Sequence, residues 1–139
     1  MSDKSDKPDL DLIQMVQNAR MMHDDEAQPS QVPGVYWIEA KRQPGEYPEP
    51  TSRMGEWRVH TTVDVVDEIW AKIKQATQAG HLGYKSKVST TAAQGQGHRD
   101  QRLICVRTYD ADDSADVDRV RQALLKLGIA PDTMHYERM

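Results

Sequence analysis

The sequence predicts an α+β fold, an antiparallel or mixed sheet with both helices on one side. Three observations point to it. Residues 57–61 and 84–90 alternate in polarity, as half-buried strands do. Val66, Ile69, Trp70, Ile73 and Thr77 fall on one helix face, and so do Val117, Val120, Leu124 and Leu127. Strand-like stretches separate these two helices, giving the order helix, then β-β-α-β-β-α-β.

Each element has its own signal. Leu10, Leu12, Ile13 and Val16 follow a capping Asp9 and predict a helix of about three turns. Residues 24–34 read as a linker. Val35–Lys41 is a strand by residue type, and 43–54, with three prolines, is a loop. In the next strand Trp57, Val59 and Thr61 point one way, Arg58 and His60 the other. Thr62 or Asp64 is expected to cap the helix that follows, with Gly80 at its end. Lys85 and Lys87 share one face of the strand after it. Residues 91–100 form a glycine-rich polar loop, and Arg102–Tyr109 is apolar enough to be a central strand. Asp113 or Ser114 caps the last helix, which ends at Gly128, and Met134–Arg138 adds a short strand. The chain thus divides into a tail, helix and linker over 1–34 and a single α+β domain over 35–139.

Composition narrows the function. The chain has 139 residues, a net charge of −4 and no Phe, which argues against a general nucleic-acid binder. Between Gly80 and Thr108, however, five Lys and Arg face a single acid, Asp100. That pattern suggests a local anion site. No apolar run approaches membrane-spanning length. The single cysteine, Cys105, lies in an apolar run and reads as a buried strand residue, and a reducing cytoplasmic location is expected. His81, His98 and His135 lie near loops with no carboxylate or cysteine at metal-ligand spacing, so neither metal nor cofactor is expected.

Arg58, His60, Lys85 and Lys87, with Arg99 and Arg102, are the candidate site. Clustered cations repel unless an anion neutralises them, and phosphate suits both the Arg fork and the Lys point charge. The bland alternative is a solvated basic face on an interaction domain.

The stretches Trp57-Arg58-Val59-His60 and Lys85-Ser86-Lys87-Val88 resemble the Lys-x-His and Lys-x-Lys-Val elements of the phosphothreonine lyases, which eliminate phosphate from phosphothreonine. Arg58 stands where that family has lysine. The resemblance implies His60 as general acid, Lys87 as general base, and Arg58 and Lys85 as phosphate ligands. Over about Tyr36 to Gly128 the chain is similar to the basophilic leukemia-expressed protein family, whose prokaryotic members are often labelled phosphothreonine lyase domain proteins. The similarity rests on Val66-Asp-Glu-Ile-Trp-Ala-Lys-Ile73, Leu82-Gly-Tyr-Lys-Ser-Lys-Val-Ser-Thr90 and Leu103-Ile-Cys-Val-Arg-Thr-Tyr-Asp110. That family is associated with the fold of the mRNA cap-binding initiation factor, which implies a curved, mainly antiparallel sheet with helices packed on one face. It also raises a rival ligand, a nucleotide or RNA end stacked on tryptophan. Trp57 and Trp70 sit on apolar faces and read as core, leaving Trp37 as the stacking candidate. The expected partner is therefore an anionic phosphopeptide or nucleotide-type ligand, with RNA as an alternative and no membrane.

Overall fold

A computed structural model describes residues 21–22, 26–32, 37–90 and 100–139. Its strands are β1 (Met21–Met22), β2 (Trp37–Lys41), β3 (Gly55–Thr62), β4 (Lys85–Ser89), β5 (Gln101–Arg107) and β6 (Met134–Arg138). Two helices, α1 (Val66–Gln78) and α2 (Ser114–Lys126), follow β3 and β5, and a 3-10 turn over Pro131–Thr133 precedes β6. The sheet runs in the order β1-β2-β4-β5-β3-β6 and is open. It is antiparallel except at the β1–β2 pair. This is the expected α+β architecture, with one strand, β1, that the sequence does not reveal. The expected N-terminal helix, residues 35–36 and the glycine-rich loop over 91–99 lie outside the described residues.

Alternation sets the two faces of the sheet. Ile38, Val88, Ile104, Val59 and Met134 are register partners in turn across five strands, and all are buried. Burying each such side chain contributes roughly 1.5–3 kcal/mol. Both helices cover this face. Helix α1 sets Val66, Trp70 and Ile73 against it, and its buried Thr77 hydroxyl meets that of Ser86 at 2.7 Å. Helix α2 buries Val120 and Leu124 and accepts a 2.9 Å hydrogen bond from Trp57 Nε1 at the Val117 carbonyl. Trp57 and Trp70 are core residues, as their spacing implies.

The helix ends differ in part from expectation. Neither Thr62 nor Asp64 caps α1. They hydrogen-bond to each other, and Val65 occupies the cap position without a side-chain bond. The break after β3 is a residue longer than the spacing suggests, because Val63 N first closes on the Asp100 carbonyl. At α2 the cap is Asp113, which accepts from Asp116 N at 3.2 Å. Both helices are followed by glycine at positive φ, Gly80 at 83° and Gly128 at 95°. Segment 26–32 is held to the domain by Ser30, whose backbone N donates to Asp67 at 3.0 Å.

Gly83 fixes where β4 begins. A Cβ at this position would lie 1.5 Å from the Arg107 carbonyl oxygen, so only glycine permits the approach to β5. At Gly128 the same Cβ would meet nothing within 4 Å and would strain only the backbone. Gly83→Ala is therefore expected to cost more than Gly128→Ala, roughly 2–4 against about 1–2 kcal/mol. Urea denaturation midpoints of the two variants check the order.

Candidate functional site

The sheet face opposite the helices carries the polar residues. One row across it reads Glu39, Lys87, Cys105, Arg58, His135, each the register partner of the next. The adjacent row reads Lys41, Lys85, Arg107, Glu56, Glu137. Strand alternation therefore brings Arg58, Lys85 and Lys87 onto one face, although β4 and β3 are separated by β5. Trp37 and His60 lie on the same face, two residues beyond the first row on β2 and β3.

Two residues that sequence reasoning did not weigh hold this face together. Glu39 is 8% exposed and Glu56 is 3% exposed. Lys85 Nζ and Lys41 Nζ lie 3.5 and 3.7 Å from Glu39. Arg58 Nε donates to Glu56 at 2.9 Å, and Arg107 Nη2 lies 3.8 Å from it. Arg107 was likewise unassigned, and its Nη1 donates to the Tyr84 hydroxyl at 3.0 Å. For two of them the signal is present in the sequence: Glu39 stands two residues from Trp37 and Glu56 two from Arg58, whereas Arg107 stands five from Arg102 and so faces the other way. Side-chain pairing across strands could not be read without the register.

Glu39, Glu56, Lys85, Lys87, Cys105 and Arg107 line a shallow depression with a cavity volume of about 10 Å³. That is about the room one water needs and far below the roughly 300–1,000 Å³ of ordinary small-molecule pockets, so a ligand here rests on the face and is not engulfed by it. Lys87 lies at its rim with Nζ 4.2 Å from the centre of the Trp37 ring, and among the described residues it makes no ion pair. Among the described residues Arg58 spends only Nε, on Glu56, which leaves its terminal nitrogens as donors. Cys105 sits between Lys87 and Arg58, where burial, followed by the charge of Glu56, pushes its thiol up to about 12. It is a thiol at neutral pH and no nucleophile.

Arg102 does not join this group. It pairs with Thr61, whose parity is that of Val59 and Trp57, so it belongs to the helix-covered side, and its Nη1 donates to the Gln101 carbonyl at 2.9 Å. Its even position on β5 decides this, since Cys105 and Arg107 are odd. Arg99 lies outside the described residues. His60 lies at the far side of the face from Lys87. Two strand spacings and two residues separate their Cα atoms by roughly 12 Å. His60 Nε2 meets His135 Nδ1 at 3.2 Å with the rings 15° apart, and His135 Nε2 meets Glu137 Oε1 at 3.1 Å.

Burial, then the neighbouring His135 and Arg58, hold the His60 imidazole below its ordinary pKa of 6.5. The neutral ring is thus favoured in the fold. Between the lowered folded value and 6.5 the unfolded chain binds more protons, so His60's contribution is present above pH 6.5 and lost as pH falls. NMR titration is expected to place the His60 midpoint below 6.5. His60→Gln is expected to lose less stability than the parent between pH 7.5 and pH 5, measured by urea midpoints.

No helix among the described residues is long and apolar enough to cross a membrane. Residues 49–137, well over half of the chain, match the family model described as basophilic leukemia-expressed protein Bles03. No curated protein matches the chain.

Proposed function

We propose, for a chain that belongs to the family of basophilic leukemia-expressed protein Bles03, that the open face of its sheet binds a phosphate-bearing ligand. The observation that carries this reading is the placement of Lys85, Lys87 and Arg58 on one open face of the sheet. Lys41 and Arg107 share that face, and only Glu39, Glu56 and Glu137 oppose the five cations there among the described residues. The surplus favours an anion. Lys87 supplies a point charge, and the Arg58 guanidinium a planar donor set.

The sharpest form of this reading is elimination from a phosphothreonine or phosphoserine residue. In this reaction Lys87 Nζ, as the neutral amine, takes the α-proton, and the β C–O bond breaks as the carbon–carbon double bond forms. His60, charged as imidazolium beside the bound phosphate anion, gives its proton to the departing phosphate. Arg58 and Lys85 hold that phosphate, and no water is consumed. In the resting structure Lys87 lies over Trp37 and His60 turns to His135, so both side chains must swing inward for the reaction. Binding is accordingly the better supported half.

The Lys87–Trp37 contact favours a second reading, a nucleotide or RNA end bound without catalysis. Lys87 already places a cation beside an aromatic platform, the pair that a phosphate with a nearby base requires. A cytoplasmic location accords with the single cysteine, which is buried and free.

Isothermal titration with inorganic phosphate tests the binding face. Lys87→Ala and Arg58→Ala are each expected to weaken binding about tenfold, the loss of a charge-assisted contact of about 1.5 kcal/mol. Undiminished binding in both variants would overturn the site.

Mass spectrometry of phosphothreonine and phosphoserine peptides tests the chemistry. The lyase converts them to dehydro residues, a conversion lost in Lys87→Ala and His60→Ala. Unchanged peptides would discard elimination. Nucleotide binding weakened in Trp37→Ala by about 1–3 kcal/mol would then establish the stacking mode.

A further inference from the structure

We propose that His60 and His135 form a two-histidine binding site for a zinc-class divalent cation at the β3–β6 side of the open face. Imidazole nitrogen suits zinc, copper and nickel among the divalent ions. Zinc binds imidazole nitrogen at about 2.0–2.1 Å, so two such ligands at a tetrahedral angle stand roughly 3.3 Å apart. His60 Nε2 and His135 Nδ1 are 3.2 Å apart. Their rings are within 15° of a common orientation, with centres 5.0 Å apart. On binding, the His60 proton shifts from Nε2 to Nδ1, and rotation of the two side chains away from their mutual hydrogen bond aims both lone pairs at one point.

The backbone holds this arrangement. His135 is the register partner of Arg58, which puts it diagonally beside His60 on the neighbouring strand. The buried pair Val59 and Met134 locks the register between them. A slip of either strand by one residue would turn one imidazole to the helix-covered face. Both histidines are exposed, so a cation reaches them from solvent.

The third member is Glu137. Its Oε1 lies 3.1 Å from His135 Nε2, the ring nitrogen that does not face His60. A carboxylate only accepts when ionised, so His135 carries its proton on Nε2 and presents the Nδ1 lone pair to the cation. A carboxylate behind a ligating histidine orients the ring and raises its basicity, and its loss commonly costs 10–100-fold in metal affinity. Among the described residues no group of three His, Cys, Asp or Glu side chains can hold a metal. Two coordination positions therefore remain for water or an external ligand.

Titration of untagged full-length protein with zinc chloride, followed by calorimetry and by the histidine ring resonances in NMR, tests the site. One zinc ion is expected to bind and to shift the His60 and His135 resonances. His60→Ala and His135→Ala should each weaken binding at least tenfold, and Glu137→Gln about tenfold. Magnesium chloride should shift neither ring. These residues are surface-exposed, so the variants are expected to keep the parent's circular dichroism and melting temperature, and a variant that does not is replaced by the corresponding Asn substitution. Zinc affinity unchanged in His60→Ala, or unshifted rings at millimolar zinc, would overturn the proposal. The titration contains no phosphate ligand, so it succeeds or fails independently of the phosphate-binding reading.

Discussion

The buried Glu56 carboxylate, held by Arg58 and Arg107, is the interaction on which the open face depends. Moving a lone carboxylate out of water costs several kcal/mol, and Glu56 is 3% exposed. Arg58 hydrogen-bonds one of its oxygens and Arg107 approaches the other at 3.8 Å, which offsets part of that cost, and the carboxylate in turn keeps the mutual repulsion of the arginines from splaying β3 and β5. Glu39 plays the same part for Lys41 and Lys85 on β2 and β4. The face is thus a layer of cations over a floor of carboxylates. Five cations outnumber three carboxylates on this face among the described residues, so an arriving anion meets a positive surface although the chain carries a net charge of −4.

That layer exists only because of the β3–β5 register. Strand period is two, so the choice that sends Trp57 and Val59 into the core also sends Arg58 and His60 out. The apolar row from Ile38 to Met134 enforces the choice, since a one-residue slip would bury four charged or polar side chains and expose the core. Packing on one side of the sheet therefore decides the electrostatics of the other.

Faces were legible in the sequence and pairings were not. Alternation placed Arg58 with His60 and Lys85 with Lys87, and helical spacing picked out Trp70, Ile73, Val120 and Leu124, because both signals are local. Arg102 groups with the candidate site by charge alone, because the apolar run of β5 shows no alternation from which its face could be counted. Glu39 and Glu56 escaped notice since their meaning depends on cations from other strands. The two-residue strand β1 is too short to carry any period. The His60–His135 contact joins residues 75 positions apart, a distance over which spacing rules are silent. The cap of α1 was missed for a different reason: Thr62 and Asp64 satisfy each other.

The strand order has a consequence in time. β3 lies between β5 and β6, so it gains one neighbour only after the β4–β5 segment is made and the other only when β6 emerges. Contacts so distant in sequence close slowly, because the loop entropy is lost before the pairing can compensate it. During synthesis the strand carrying Arg58 and His60 would spend a period with its outer hydrogen-bonding edge bare. Its alternate charged side chains, disfavouring union with another chain, protect it in that interval as well as serving it afterwards.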